Sequence, residues 1–276
     1  MSAEYTPQYL FSREARRLLS EAPGVSGHVE VFENAHYRWM EFGNGVVQSA
    51  IDLRDETKLV LPYTRWGLAA LPLVRFPRSA LVLGAGGGTL PRFAARHGVH
   101  DIDMVDHDAT VLEAARTWFG LGSDDVRSWH VDAREYLLQC KRDYDALICD
   151  LFTEHGMPAW VEQEAFFHIC ADTLSGNGVA VFNLAPLFGD QFDELYPLIR
   201  AAFPNGTLRL HIPDTDNYVV FGFKSAPDRL DRSVLTRRAV KLGRWTKLPM
   251  VSYLNAIYAS NHSRQGRLSF RVRPQT

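Results

Sequence analysis

The sequence predicts an α/β fold: a doubly wound, mostly parallel sheet of seven strands, with a small antiparallel β domain before it. From Ser79 onward, short apolar runs alternate with helical segments, which is typical of a parallel sheet with right-handed crossovers. A glycine cluster at residues 84–88 separates the first apolar run from the next helix. Between residues 28 and 51, polar and apolar residues alternate with period two, which predicts the antiparallel strands.

Composition and charge narrow the class of protein. The 276 residues are 46% hydrophobic and 22% charged, which allows a sizeable core, and the formal net charge of -2 provides no basic field for nucleic acid. Three widely spaced cysteines, Cys140, Cys149 and Cys170, predict reduced thiols and neither a disulfide framework nor a metal site. No uncharged run approaches the roughly 18 residues of a membrane span, so a cytoplasmic protein without membrane contact is expected.

Residues 1–77 are predicted to form an N-terminal helix and β-hairpin domain. Ser12 is a candidate N-cap for a helix through Ala22. Asn44 and Gly45 favour a two-residue hairpin turn with positive φ at both positions. The expected strands of this domain are 28–33, 37–42 and 46–51. An apolar helix should follow from Leu61 to about residue 74, and the whole piece is expected to serve as a lid or a dimerisation element.

The glycine cluster at residues 84–88 predicts a nucleotide-like ligand. Glycines between a strand and a helix let the backbone turn sharply and let main-chain N–H groups meet electron-rich oxygens. A dinucleotide fingerprint needs glycine at its sixth position, where this chain has Thr89. The G-x-G-x-G spacing of Gly84, Gly86 and Gly88 is commoner in the S-adenosylmethionine-binding version of the doubly wound sheet. Residues 78–276 are therefore predicted to form a Rossmann-like nucleoside-binding catalytic domain with a basic C-terminal tail.

The rest of this domain follows as alternating elements. The expected helices are 91–97, 109–119, 133–140, 162–174 and 190–203. The expected strands are 79–83, 102–106, 126–131, 144–150, 179–184, 207–211 and 218–223, the last two as an antiparallel pair. Residues 175–178 are expected to turn, and the tail beyond residue 227 is expected to be helical before an irregular end.

Acidic residues follow several of these strands. Asp106, Asp132 and Asp150 close strands, and Asp108 comes two residues after Asp106. Open α/β sheets bind ligands outside the carboxyl ends of their strands, so these acids should converge on one rim. Asp106 lies 22 residues after Gly84, where a carboxylate accepts hydrogen bonds from ribose hydroxyls. Asp108 and Asp132 have an alternative role as helix N-caps. His107 and His155, also near the rim, are expected to be structural or exposed.

In order and composition, these motifs resemble the spermidine synthase (polyamine aminopropyltransferase) family, especially its divergent members. The motifs that carry the resemblance are Asn44-Gly45-Val46-Val47-Gln48, Leu61-Pro62-Tyr63, the glycine loop, Val105-Asp106-His107-Asp108, Val131-Asp132-Ala133-Arg134 and Asp150. The resemblance covers roughly residues 28 to 225. A generic methyltransferase is not expected to contain the hairpin with Gln48 and the downstream Tyr63.

The resemblance implies a role for each matched residue. Gln48 would touch the methionine-derived part of the cofactor, Gly84 and Gly86 would line it, Asp106 would hold the ribose, and Asp132 with Ala133 would meet the adenine. Asp150 would be the acid at the reacting centre, assisted by Tyr63. The implied cofactor is S-adenosylmethionine or its decarboxylated form, with S-adenosylhomocysteine or methylthioadenosine as product and no metal. The implied substrate is a small-molecule amine, and the implied assembly is a homodimer.

The sequence also departs from the family. Gly87 and Thr153 stand where the synthases usually carry acids, and Thr64-Arg65 replaces a His-Glu pair. Those acids hold the ammonium groups of the substrates, and a buried cation without a partner is strongly disfavoured. Putrescine aminopropylation is therefore in doubt, with Glu154 as a possible substitute acid. Two alternatives are an S-adenosylmethionine-dependent methyltransferase, whose cofactor carboxylate Gly87 would tolerate, and a non-catalytic nucleoside-binding protein.

Overall fold

The computed structural model describes residues 16–25, 27–122, 126–186, 191–225, 227, 231–261 and 267–270. Four strands form a small antiparallel sheet in sequential order: β1 (Arg17–Gly24), β2 (Gly27–Glu33), β3 (Tyr37–Glu41) and β4 (Val47–Asp52). Seven strands form the large sheet: β5 (Ser79–Leu83), β6 (Asp101–Asp106), β7 (Val126–His130), β8 (Tyr144–Cys149), β9 (Leu174–Leu184), β10 (Thr207–His211) and β11 (Tyr218–Phe223).

Helices connect and cover these strands. In chain order the α-helices are α1 (Pro62–Trp66), α2 (Thr89–Arg96), α3 (Ala109–Phe119), α4 (Ala133–Gln139), α5 (Glu164–Asp172), α6 (Gln191–Ala202), α7 (Arg232–Thr246) and α8 (Met250–Ser260). Two short 3-10 helices lie at Leu71–Leu73 and Ala159–Glu162. Among the described residues, no helix combines the length and the apolar character needed to cross a bilayer.

The large sheet has the order β10-β11-β9-β8-β5-β6-β7. Strands β9, β8, β5, β6 and β7 are parallel, and the hairpin of β10 and β11 adds two antiparallel contacts at one edge. The predicted α/β fold with a mostly parallel seven-stranded sheet is thus confirmed. The strand order reverses between β5 and β8, and ligands of doubly wound sheets bind in the crevice at such a reversal.

Alternating side chains of the large sheet supply two cores. On β5, Ala80 and Val82 pack on one face, while Leu81 and Leu83 pack on the other, as the period of two requires. The core on the first of these faces also includes Val31 and Met40 of the small sheet, so one apolar cluster joins the two sheets. The domain boundary after residue 77 stays a prediction.

The structure corrects the predicted N-terminal helix. Ser12 lies outside the described residues, but Arg17–Gly24 is a strand whose register with β2 runs to the Gly24–Gly27 pair. Residues such as Arg17, Leu18 and Glu21 favour helix locally, and pairing with β2 overrides that weak preference.

The hairpin prediction at Asn44 was right about its place and wrong about its geometry. Glu41 pairs with Val47, so the connection has five residues, and positive φ occurs at Gly43 and Gly45 but not at Asn44. The Asn44 side chain instead accepts the Val46 N–H at 2.9 Å. Because Gly43 and Gly45 adopt the positive φ angles that the turn needs, Asn44 keeps a negative φ.

Two other boundaries differ. The helix predicted to reach residue 74 ends at Trp66, with Gly67 as its C-cap, because turns and a short 3-10 helix containing Pro72 replace its second half. The turn predicted at residues 175–178 belongs to the long strand β9, with a register shift against β8. A Cβ on Gly178 would lie 2.9 Å from the Tyr144 carbonyl oxygen, so glycine permits this close pairing. The helix Ala109–Phe119 and its Asp108 cap are confirmed, with Thr110 N–H donating to Asp108.

Candidate functional site

A cavity of about 240 Å³, the rim cavity, opens at the carboxyl ends of β5, β6 and β8, where the strand order reverses. Seven of the eight site residues predicted from the sequence line it: Gln48, Gly84, Gly86, Asp106, Asp132, Ala133 and Asp150. The eighth, Tyr63, lies against Asp150. The structure therefore brings together residues as far apart in the chain as Gln48 and Asp150.

The glycine loop owes its shape to three residues with positive φ. Gly84, Gly86 and Gly88 have φ of 93°, 46° and 65°, conformations that side chains other than glycine rarely adopt. A Cβ on Gly84 would also overlap the main-chain oxygen of Asp150. The G-x-G-x-G spacing thus holds the loop flat against the end of β8 and leaves Gly86 facing the cavity.

Asp106 is a buried carboxylate at the end of β6. One oxygen accepts the Ala85 N–H at 2.8 Å and the other accepts the Asp108 N–H at 2.9 Å. Burial raises the pKa of Asp106, and these two backbone hydrogen bonds act in the opposite direction. A carboxylate has about four lone-pair sites, so each oxygen retains capacity for one hydroxyl donor. Its fixed orientation suits it to a pair of adjacent hydroxyl groups.

Asp132 combines the two roles that the sequence analysis left open. It lines the cavity, and it also caps α4 by accepting the Arg134 N–H at 2.8 Å. The Arg134 guanidinium pairs with the same carboxylate at 2.7 Å and holds its pKa below the ordinary value. Arg134 lies 4.9 Å from the centre of the Trp160 ring, and both residues line the cavity. This wall therefore offers a flat aromatic surface beside a neutralised acid.

Asp150 follows β8 and stands where the rim cavity meets the interior. Asn183 donates a hydrogen bond from Nδ2 to one Asp150 oxygen at 2.8 Å. Burial raises the pKa of Asp150 to about 6, although hydrogen bonding with Asn183 and Tyr63 partly offsets this effect. A carboxylate with this pKa is mostly ionised at pH 7 and still accepts a proton readily, which suits a general base.

Asn183 is itself held in one orientation. Asn217, on the turn between β10 and β11, donates from Nδ2 to the Asn183 Oδ1 at 3.0 Å. With its oxygen engaged, Asn183 presents only its NH₂ group to Asp150. Sequence reasoning missed both asparagines because it considered only acids at strand ends. Asn183 is the penultimate residue of β9, and its place beside β8 was the available signal.

Tyr63 is a second hydrogen-bonding neighbour of Asp150. Its hydroxyl donates to the Gln48 main-chain oxygen at 2.8 Å and lies within hydrogen-bonding reach of the Asp150 carboxylate. Burial and the nearby Asp150 charge raise the Tyr63 pKa well above its ordinary value, so the phenol stays protonated. Tyr63 thus links β4 to the end of β8 as a neutral hydrogen-bonding group.

The positions that depart from the family have other contacts. A Cβ on Gly87 would lie 2.8 Å from both the Phe119 ring and the Ser49 hydroxyl, so an acid there would have no free space. Thr153 lines the rim cavity, and its hydroxyl donates to the Gly156 oxygen at 3.1 Å. The Glu154 side chain lies near Gly27 and 3.4 Å from His155, outside the residues that line the rim cavity.

Known proteins match this chain on both sequence and structure. Residues 67–185 match the model of the spermine/spermidine synthase domain. The polyamine aminopropyltransferase of Chromobacterium violaceum is 26% identical over 257 residues, which cover 92% of this chain and 98% of that protein. The domain match includes the glycine loop, Asp106 and Asp150, whereas Gln48 and Tyr63 lie before it.

Two solved structures extend the comparison. A probable spermidine synthase from Corynebacterium glutamicum superposes with a TM-score of 0.67 and 18% identity, over 92% of this chain and 99% of that one, which shows the fold. Human methyltransferase-like protein 13, solved in complex with SAH, superposes with a TM-score of 0.62 and 25% identity, over 68% of this chain and 94% of that one. The relatives of both kinds are transferases, and so is this chain. The chain is thus similar to the polyamine aminopropyltransferases over most of its length, and its residues 67–185 match the spermine/spermidine synthase domain.

Proposed function

We propose that this chain binds S-adenosylmethionine or its decarboxylated form and transfers an alkyl group to an amine, with aminopropyl transfer as the leading reaction. The observation that supports this most directly is the position of Asp150, a carboxylate with a pKa of about 6, at the edge of a cavity whose other walls suit an adenosyl group. The domain match and the aminopropyltransferase relatives support the same class of reaction.

The rim cavity fits the adenosyl part of such a cofactor. Asp106 offers its remaining lone pairs to a pair of ribose hydroxyls, and Gly86 lets the loop approach without a side chain. Asp132, Ala133 and the Trp160 ring form the wall proposed for the adenine. Gln48 lines the same cavity on the side of Tyr63, which is the place proposed for the methionine-derived part.

Asp150 performs the proton chemistry in this proposal. When bound, the sulfonium cofactor supplies an electrophilic carbon that an amine lone pair attacks, while the carbon–sulfur bond breaks and a neutral thioether leaves. The amine must be neutral to attack, so the ionised Asp150 accepts one of its protons. Asn183 and Tyr63 hold the carboxylate in place, and alignment of the amine contributes the larger share of the acceleration.

The acceptor in this proposal is not putrescine. Both ammonium groups of a diamine need partners once they are desolvated. Phe119 and Ser49 occupy the space beside Gly87, so no acid fits there. Thr153 is neutral, and Glu154 does not line the cavity. Asp150 is therefore the carboxylate left for the acceptor.

Methyl transfer from intact S-adenosylmethionine is the second candidate. The methyltransferase-like structural neighbour, which is bound to SAH, favours it. The lack of an acid at Gly87 also removes a charge that would repel the methionine carboxylate. A purely nucleoside-binding role is less well supported, because it gives no reason for a half-buried carboxylate held by Asn183 and Tyr63.

Calorimetry and a product assay test the proposal. We expect binding of methylthioadenosine and of at least one of the two sulfonium compounds, with no comparable binding of NAD. Incubation with each sulfonium compound and a panel of amines, followed by mass spectrometry, should give an alkylated amine and the matching thioether. An aminopropyl product supports the leading reaction and a methyl product the second. Tight NAD binding without a response to any adenosyl compound would refute both. A homodimer, proposed from the family resemblance alone, can be checked by light scattering.

A further inference from the structure

A second cavity of about 70 Å³, the apolar cavity, lies behind Asp150. It is enclosed by one face of the large sheet, the segment from Tyr63 to Pro77, and helix α2. Asp150, Tyr63 and Asn183 border one end, and Phe76 and Thr246 border the other. Asp150 therefore belongs to both cavities.

Small side chains create this space. Gly67, Ala80, Ala94 and Ala146 line it, on four different segments, and none of them has a side chain larger than a methyl group. Ile148 points to the same cavity and is only half-buried, although it lies in a central strand with neighbours on both sides. The gap is therefore apolar in character, and apolar cavities of this kind stay dry and accept apolar ligands.

The polar groups on its wall already have partners. The hydroxyl of Thr64 donates to the Leu61 oxygen at 2.7 Å, and that of Thr246 donates to the Leu242 oxygen at 2.8 Å. The His97 ring nitrogen Nδ1 lies 2.8 Å from the Phe93 oxygen. Among the described residues that line the cavity, Asp150 is the carboxylate available to a ligand.

We propose that the apolar cavity receives the body of the acceptor, which is a primary monoamine with a short aliphatic group. The inference rests on the proposed function and names its substrate class. The amine nitrogen meets Asp150 at the border of the two cavities, and the alkyl group extends away from the rim cavity between Ala146 and Val181. A second ammonium at the far end of the alkyl group would be buried without a counter-charge.

A comparison of butylamine with putrescine isolates this feature, because the two molecules share a four-carbon chain and one amine. Calorimetry on the full chain saturated with methylthioadenosine should show butylamine binding at least tenfold tighter than putrescine. From ethylamine to butylamine, affinity should rise about fourfold per methylene until the cavity is filled. Equal or tighter binding of putrescine would overturn the inference.

Two variants test the location. Ala146→Leu fills the cavity and should weaken butylamine binding at least tenfold while leaving methylthioadenosine affinity within about twofold. Val181→Thr keeps the volume of the wall but adds a hydroxyl, so it should weaken the same binding even if Ala146→Leu unfolds. Val240→Thr, the same change on an exposed position of α7, is the matched control and should have no effect.

The outcomes separate the inference from the proposed function. If methylthioadenosine and both sulfonium compounds fail to bind, the proposed function is wrong. If methylthioadenosine binds but butylamine does not, or if Val181→Thr binds butylamine like the unmodified chain, the cavity is a packing void and the inference alone is wrong.

Discussion

The two cavities that meet at Asp150 differ in charge and in origin. Three carboxylates line the rim cavity, Asp106, Asp132 and Asp150, whereas Asp150 is the one acid on the apolar cavity's described wall. The rim cavity is built from loops that follow consecutive parallel strands. The apolar cavity is built from side chains on segments far apart in the chain. The rim cavity therefore offers charged hydrogen-bonding groups, whereas the apolar cavity offers an apolar surface with one carboxylate at its edge.

The largest expected effect is at the shared residue. Asp150→Asn preserves shape and removes the base, so kcat/KM for the amine should fall by about 10²-fold or more. Methylthioadenosine affinity should change by less than about twofold, since Asp106 and the glycine loop are intact. In the unmodified chain, activity should be lost as pH falls through about 6, where Asp150 becomes protonated. An Asp150→Asn enzyme that retains its activity would refute the catalytic role.

The second-largest expected effect is a loss of nucleoside affinity in the rim cavity. Asp106→Ala removes the acceptor proposed for the ribose hydroxyls and should weaken methylthioadenosine binding by about 1–3 kcal/mol, measured by calorimetry. Thermal unfolding of the same variant is the control, because Ala85 and Asp108 N–H groups also lose their partner. Unchanged nucleoside affinity in a folded variant would contradict the assignment.

Two substitutions that introduce the acids usual in the related synthases should differ in their effect on the stability of the fold. Gly87→Asp places a Cβ against the Phe119 ring and Ser49, and should destabilise the fold by about 1–3 kcal/mol, detected by chemical denaturation. Thr153→Asp, on a half-buried loop that lines the rim cavity, has room for the added carboxylate and should cost less stability in the same measurement. If Gly87→Asp is as stable as the unmodified chain, the structural reason given for Gly87 is wrong.

The smallest effect tests the pair of asparagines. In Asn217→Asp, a carboxylate replaces the donor to Asn183, so Asn183 should reverse and turn its oxygen toward Asp150. That orientation, together with the added negative charge, favours protonated Asp150 and should move the acid limb of the kcat/KM profile upward by roughly 0.5–1 pH unit. Asn217→Ala adds no charge and should shift the limb less. Identical profiles for all three chains would exclude this positioning role.

The sequence by itself determined the features that depend on neighbouring residues. Local backbone geometry accounts for the three glycines with positive φ and for the Asp108 cap. The period of two accounts for the strands that lead to Asp106 and Asp150. These features fix the parallel sheet and bring its strand-end acids to one rim, because parallel strands share the edge at which they end.

Only the tertiary structure decided the remaining features. Arg17–Gly24 forms a strand because β2 is available to pair with it, against local helix preference. Asn183 and Asn217 meet because β9 and the β10–β11 hairpin are neighbours in space. The apolar cavity exists because Gly67, Ala94 and Ala146, which no motif connects, face one another across the core. Sequence spacing encodes backbone geometry, whereas an unfilled volume depends on every side chain around it.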